Sequence, residues 1–488
     1  MSALELSGFL DWFTRCNGSF DKESIGFTDF PPSEGGRGAV ALKDIPEGHT
    51  LFTIPRSLTL STRTSSLVNL MGQEKWKEYK LDEGWVGLIL CMMWESAQGS
   101  TSFWVEYLQT LPTTFNTPMF WSEDDLEALK GTTILEKLGR KDAERDYNEK
   151  ILPAVKSRPD LFPPELHPVN YTLEQYHIMG SRILSRSFDV ERWESEYGEN
   201  EAANTSAASA MDVDQLVAPP EPQEEEIHEE EEDPVDVSMV PMADLLNARY
   251  GSENAKLFYE EASLRMVATK PVKTGEQIWN TYGDLPNAEL LRRYGHVDLL
   301  PLPDGTEGNP GDIVEIRADL VVSAVTESHG NSTESCKERI DWYLEEGGDD
   351  VLAVESDAEL PSSMILLIQL LLLQDREWQK LRQKRKLPKA KADAAVLEIV
   401  HRAVEARIAQ YPPFQESLKD EASFEELSLS KRHAIIVRLG EIKILRALLR
   451  RAETLLDAES KGTNKRKASI DGSETFKKTK EWKTKLRK

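Results

Sequence analysis

The stretch from Val237 to His296 limits what this chain can fold into more than any other part. VSMVPMADLLNAR (237–249) is an apolar run that closes on a polar tip. LFYEEASLRMVATKPVKTGEQIWNTYG (257–283) reads as a strand, a turn and two more strands, and DLPNAELLRRYGH (284–296) as a short amphipathic helix. Strands and a helix this close together demand a mixed fold. Asp244 and Asn247 sit at the end of the buried run, and Tyr282 and Tyr294 flank the helix. Ordinary packing rarely needs so many hydroxyl, amide and carboxylate groups in apolar company.

Upstream, Leu4, Leu6, Phe9, Leu10, Trp12 and Phe13 are spaced to form one face of a helix. A glycine loop follows, Gly35-Gly36-Arg37-Gly38. The alternating run AVALKDI, the turn signal Pro46-Glu47-Gly48 and the run LFTIP then predict a hairpin introduced by that loop. Glycines permit positive φ and close approach to a ligand, yet a flexible entry to a hairpin explains them equally well. A dinucleotide fingerprint is excluded, because a strand rather than a helix follows the glycines.

Residues 84–97 are apolar nearly all round and predict a buried helix. FWVEYLQTLP (103–112) ends on a proline stop, and Trp94, Phe103 and Trp104 are expected in the core. Residues 122–190 look helical, broken by the Pro-rich stretch 158–168. The final helix of this region, HIMGSRILSRSF (177–188), places Arg182 and Arg186 four apart on one face.

Residues 192–234 change character. AANTSAASA and EPQEEEIHEEEEDP cannot bury enough apolar surface to offset the entropy of ordering, so a disordered acidic insertion is expected. Residues 311–326 suit either strand or helix. From about 336 to 458 the apolar spacing is helical and predicts a second, all-helical domain. The stretch 461–488 holds eleven Lys or Arg against three acids, a basic tail expected to be disordered and suited to nuclear targeting.

That tail is the exception in an acidic chain. The formal charge is −26 overall, so residues 1–460 carry −34. Phosphates would be repelled by such a body, which argues against direct nucleic-acid binding and leaves basic proteins as partners. Cys16, Cys91 and Cys336 are far apart and follow no metal or disulfide spacing. The longest apolar run, MILLIQLLLLQ (364–374), is too short to span a bilayer and reads as a buried helix.

The residues alone suggest a pocket without stating its chemistry. Asp244 and Asn247, three apart, would share a face on a helical turn. Asn247 could serve a ligand or cap a buried helix; Tyr282 and Tyr294 could serve a ligand or sit in the core. No Ser-His-Asp order, carboxylate pair, phosphate loop or zinc pattern appears, so hydrolase and nucleotide readings lack their reagents.

Four blocks, in this order and spacing, resemble the SET-domain protein-lysine methyltransferases of the Rubisco large-subunit methyltransferase class: EGGRGAVALKDIPEG (34–48), SFWVEYLQTLP (102–112), VPMADLLNA (240–248) and GEQIWNTYGDLPNAELLRRYGHV (275–297). Within that class the chain is most like the fungal ribosomal-protein lysine methyltransferases. The resemblance implies an α+β protein. A β-rich SET fold would occupy 1–300, with a helical insert at about 62–190, and a helical substrate-binding domain would occupy 301–460.

The resemblance also implies S-adenosyl-L-methionine as cofactor and a protein substrate, a large-subunit ribosomal protein first and a histone or other nuclear protein second; the alternative to an enzyme is a non-catalytic SET-fold protein that binds a lysine-bearing tail. A monomer that binds neither membrane nor, directly, nucleic acid is expected, and the basic tail places it in the nucleus. Gly36, Arg37, Gly38, Ala39, Arg186, Asn247 and Ala248 would hold the cofactor. Arg186, Asp244 and Tyr294 would meet the substrate lysine, and Tyr282 would be the catalytic tyrosine, also against the cofactor. Ala248 stands where the family often has histidine, and His296 where phenylalanine is more usual.

Overall fold

The computed structural model describes residues 3–31, 35–192, 235–330, 333–413 and 424–485. The chain forms two units. The first is Met1–Phe120, Leu138–Asp284 and Leu290–Asp298; the second is Trp121–Lys137, Leu285–Glu289 and Leu299–Lys488. Trp121–Lys137, which the sequence groups with the helical insert, thus belongs to the second unit.

Strands β1 (Ser19–Phe20), β2 (Ile25–Asp29), β3 (Arg37–Ala41), β4 (Thr50–Pro55), β5 (Ser187–Glu191), β6 (Val235–Met239), β7 (Ala255–Tyr259), β8 (Ser263–Ala268) and β9 (Gln277–Ile278) build the first unit. They form a four-stranded sheet ordered β1-β4-β8-β7, a three-stranded sheet ordered β2-β3-β9, and the ribbon β5-β6. The strand, turn and two strands expected over 257–283 are β7, β8 and β9.

The hairpin expected from AVALKDI and LFTIP is not there. β3 pairs with β2 and β9, while β4 pairs with β1 and β8 in the other sheet. The turn between them spends its hydrogen bonds elsewhere. Ile45 N donates to Val272 O at 2.8 Å and Gly48 N to Ala268 O at 2.8 Å, so the segment leaving β8 holds the turn and the chain crosses between sheets. The glycine loop instead joins β2 to β3, with Gly35 and Gly36 at φ +91° and +71°, which L side chains rarely adopt.

The apolar run at 86–97 is helical as expected, and Leu88 through Met93 are all buried. Each such Leu, Ile or Met stabilises the fold by about 1.5–3 kcal/mol when fully removed from water. Trp104 joins this core, but Phe103 does not; it is 54% exposed. Its inner edge is covered by Trp12, which packs edge-on against it and donates Nε1 to its carbonyl oxygen at 3.0 Å.

The acidic insertion lies outside the described residues apart from Arg192. Its flanks are fixed: β5 and β6 pair antiparallel from Ser187 opposite Met239 to Glu191 opposite Val235. Arg63 and Arg192 both reach the Asp236 carboxylate, at 3.0 and 2.9 Å. Arg186 is therefore near 237–240 in space despite its distance in sequence.

The second unit is built on the helices Ala318–His329, Thr333–Glu345, Ser362–Leu372, Ala394–Ala409 and Leu429–Lys485, around Val321, Leu367, Ile368, Val400 and Leu445. It is not purely helical. β10 (Leu300–Pro301) pairs with β11 (Glu307–Gly308), and β12 (Ile313–Arg317) with β13 (Val351–Glu355). β13 carries a two-residue alternation too short to stand out between helices. The ambiguous segment 311–326 is both things, strand first and then helix. The last helix continues to Lys485, through the stretch expected to be disordered; that stretch has no proline and many helix-tolerant Lys. Among the described residues no helix is long and apolar enough to cross a membrane.

Candidate active site

The site begins with a break in the chain. After β6, Pro241 is followed by Met242 at φ +77°, a conformation that costs a non-glycine residue roughly 1–3 kcal/mol. The chain then makes one 3-10 turn, Ala243–Leu245, and returns to extended backbone at Leu246. Asp244 and Asn247 consequently do not share a helical face. They point to different partners.

Asn247 serves the glycine loop. Its Nδ2 donates to Arg37 O at 3.0 Å and to Gln277 Oε1 at 2.9 Å. A Cβ on Gly35 would lie 2.6 Å from Asn247 Cγ, and one on Gly38 would lie 2.4 Å from Gln277 Oε1 and 2.7 Å from Asn247 Nδ2. Glycine is thus required at Gly35 and Gly38 by close approach. Gly36 meets nothing within 4 Å of such a Cβ, so its backbone borders open space. Ala39 is buried in β3 opposite Ile278, and Arg37 Nε pairs with Asp29 at 3.3 Å. Ala248 forms a parallel bridge to Asn280, whose N donates to Asn247 O at 2.9 Å.

Asp244 faces the other way, into a buried cluster. Tyr107 Oη donates to its Oδ2 at 3.0 Å, and Arg186 Nη1 donates to its backbone oxygen at 2.5 Å. Among the described residues, Asp244 Oδ1 and Arg186 Nε are buried and make no hydrogen bond. Burial raises the Asp244 carboxyl to about 6, against the opposing pull of Arg186 and the Tyr107 hydrogen bond. Arg182, on the same face of the helix Leu173–Arg186, donates Nε to Pro112 O at 3.0 Å. Desolvation lowers it to about 10.

Tyr282 follows β9, which is paired to the strand of the glycine loop. Its hydroxyl donates to Leu246 O at 3.4 Å, and its ring is stacked on Tyr294. Burial raises the phenol's pKa; Arg186 opposes this and Asp244 adds to it. The hydroxyl therefore stays protonated at neutral pH and acts as a hydrogen-bonding group. His296 lies 6.0 Å from Tyr294, centroid to centroid, and desolvation lowers its pKa, with Asp298 pulling the other way.

The structure brings together every residue singled out from the sequence, but as two clusters rather than one face. Gly36, Arg37, Gly38, Ala39, Asn247 and Ala248 gather around the loop. Arg186 and Tyr282 lie near the buried Asp244 carboxylate, and Tyr294 joins them through its stack on Tyr282. The sequence did not point to Tyr107, Arg182 as a cluster member, or Gln277. Tyr107 and Gln277 lie within two of the four blocks, and position in a block was the one signal that could have found them.

The glycine backbone, approached closely at Gly35 and Gly38, borders open space at Gly36, where a ligand can lie against it. The family described as "SET domain" matches residues 36–283, and the one described as "Rubisco LSMT substrate-binding" matches 323–445. Ribosomal lysine N-methyltransferase 4 of Saccharomyces cerevisiae is 32% identical over 69% of this chain and 65% of its own length. Human N-lysine methyltransferase SETD6 is 31% identical over 62% of this chain and 55% of its own. The match thus spans under two thirds of either relative. Ribosomal lysine N-methyltransferase 4 of Schizosaccharomyces pombe is 28% identical over 96% of this chain and 99% of its own length. In fold, the chain is similar to the crystal structure of the SET domain of LSMT bound to lysine and AdoHcy. The TM-score is 0.64 at 18% identity, over 93% of this chain and 91% of that one. Rubisco LSMT bound to AdoMet gives 0.61 at 20% identity, over 93% of each chain.

Proposed function

The chain belongs to the SET-domain family, and from that membership we propose that it is an S-adenosylmethionine-dependent protein-lysine N-methyltransferase. The observation that carries the proposal is Tyr282: a protonated, ring-stacked phenol near the buried Asp244 and the Arg186 bonded to its backbone, just after a strand paired to that of the glycine loop. Gly36, Arg37, Gly38, Ala39, Asn247 and Ala248 would hold the cofactor, with Arg186 and Tyr282 at its reacting end. When bound, S-adenosylmethionine supplies an electrophilic methyl group on a sulfonium sulfur.

The chain's own residues do the rest. Arg186, Asp244 and Tyr294 receive the lysine side chain as its ammonium, and the apolar surroundings then favour loss of one proton to solvent, leaving the neutral, nucleophilic amine. Tyr282 holds that amine by its hydroxyl and aligns it; positioning of this kind supplies up to about 7–11 kcal/mol in favourable cases. Excluding water keeps these hydrogen bonds strong.

A large-subunit ribosomal protein is the substrate this reading favours, supported by the two ribosomal lysine N-methyltransferases among the relatives. The Lys-rich C-terminal stretch supports a nuclear location. The comparable identity to SETD6, a relative named for lysine methylation without a ribosomal substrate, is compatible with a second reading, a histone or other nuclear protein. Mass spectrometry of ribosomal proteins and histones from cells with and without the gene tests both. Loss of methylation at a ribosomal lysine is expected. Unchanged ribosomal proteins together with a changed histone would transfer the case to the second reading.

A further inference from the structure

Tyr107 is the most heavily enclosed polar group near the site. It is fully buried, with its ring parallel to Trp12 at 6.4 Å and in contact with Phe9 and Trp104. Phenylalanine would fill the same space, so packing does not call for the hydroxyl. A buried hydroxyl costs stability unless it is bonded. This one is bonded, and its partner is Asp244, 137 residues away in the chain.

The bond is selective. It occupies Oδ2 and leaves Oδ1 buried, with no hydrogen bond among the described residues. Arg186 does not fill that place; its Nη1 goes to the Asp244 backbone oxygen, and its Nε is likewise unbonded. The charged and titratable groups acting on Asp244 are Arg186 and Tyr107. Arg182 and Arg186 act in turn on Tyr107, and Asp244 and Arg186 act on Tyr282. A carboxylate with one oxygen pinned and the other idle, beside the tyrosine assigned to catalysis, is oriented for a cationic guest.

We propose that Tyr107 is a positioning residue of the lysine site: its hydroxyl fixes the Asp244 carboxylate so that Oδ1 is presented to the ammonium of the incoming substrate lysine. The proposal rests on the methyltransferase reading. Two consequences follow from the geometry. Tyr107 acts only through Asp244, so it governs lysine capture rather than cofactor binding. Its hydrogen bond also stabilises the ionised carboxylate, so removing it raises the pH at which Asp244 loses its charge.

The test compares Tyr107→Phe, Asp244→Asn and the double variant with the unaltered protein. A lysine peptide from the substrate, or an extract of unmethylated ribosomal protein, serves for kinetics. Calorimetry with a lysine peptide and S-adenosylhomocysteine reads capture without turnover. If the unaltered protein transfers no methyl group, the methyltransferase reading fails by itself, while the calorimetric arm still judges Tyr107. Tyr107→Phe is expected to weaken peptide capture and raise KM roughly ten-fold to a hundred-fold, the usual weight of a hydrogen bond to a charged group. Affinity for S-adenosylmethionine should be unchanged, and the acidic limb of kcat/KM should move to higher pH. In the Asp244→Asn background the same substitution should add nothing. Unchanged capture and an unmoved acidic limb in Tyr107→Phe, or losses that simply add in the double variant, overturn the proposal. Should Tyr107→Phe not fold, Asp244→Asn decides: its amide offers N–H where Oδ1 stood, and unchanged peptide affinity would refute the role of Oδ1.

Discussion

Tyr282 lies flat on Tyr294, with ring centroids 4.3 Å apart and planes within 4° of parallel. The stack fixes the first ring and leaves its hydroxyl to point toward the backbone oxygen of Leu246. Ring and hydroxyl therefore have separable roles, one structural and one chemical.

Tyr282→Phe keeps the stack and removes the hydroxyl. Losing a preorganised hydrogen-bonding group in an active site costs about 10²–10³ in kcat. The variant should lose methyl transfer on that scale. Its melting temperature should stay within a few degrees, because ring packing survives. Initial-rate assays and a thermal melt check both halves. A rate equal to that of the unaltered protein would remove Tyr282 from catalysis.

The glycine loop predicts an ordered series. Gly38→Ala forces a Cβ to within 2.4 Å of Gln277 Oε1 and 2.7 Å of Asn247 Nδ2, so the Asn247 clamp must give way. Gly36→Ala meets no atom within 4 Å and pays only for its φ of +71°, about 1 kcal/mol. Gly38→Ala should therefore weaken S-adenosylmethionine binding more than Gly36→Ala does. Isothermal titration of the folded variants measures the order, and the reverse order contradicts the clamp.

Asp244 predicts a pH-dependent cost. Its folded-state pKa is raised to about 6 from 3.8, so the fold disfavours the ionised form. The penalty is absent below the unfolded value, grows between the two, and is complete above pH 6. It amounts to something on the order of 3 kcal/mol. Asp244→Asn removes the titration while keeping an acceptor for Tyr107. It should raise the melting temperature at pH 7.5 and have little effect near pH 4, while impairing lysine capture. Thermal melts across that range supply the check, and equal shifts at both pH values would count against a buried ionised Asp244.

How much of this could be read from the sequence depends on whether the cause was local. The buried helix Val86–Ala97 and the run of strands from β7 to β9 were legible, because apolar spacing is a local signal. The partners of β3 were not. IGFTD is short and weakly alternating, and the choice of β2 over β4 is made by bonds from Ile45 and Gly48 to a segment more than two hundred residues away. The Asp244–Asn247 face failed because Met242 adopts a positive φ that no spacing rule anticipates. The residues of the site were legible through the resemblance of four blocks. The bond between Tyr107 and Asp244 was not, since nothing in either block specifies its partner.

The ribbon β5-β6 leads to the last prediction. Glu191 pairs with Val235 across antiparallel strands, so the ends of the acidic insertion are already side by side. Asp236 is held there by Arg63 and Arg192, and Arg56 Nη1 donates to Glu191 O at 2.7 Å. Each of these anchors joins two described residues outside 193–234. Replacing that stretch with a short Asn-Gly turn removes a long loop, and loop-closure entropy changes by only about 0.6 kcal/mol per halving of length. The shortened protein should fold with equal or slightly higher stability and bind S-adenosylmethionine as before. Any loss confined to turnover on a whole basic protein, with a short lysine peptide unaffected, would assign the insertion a part in substrate recruitment. A fall in cofactor affinity would instead show that the ribbon needs the insertion to hold Arg186 in place.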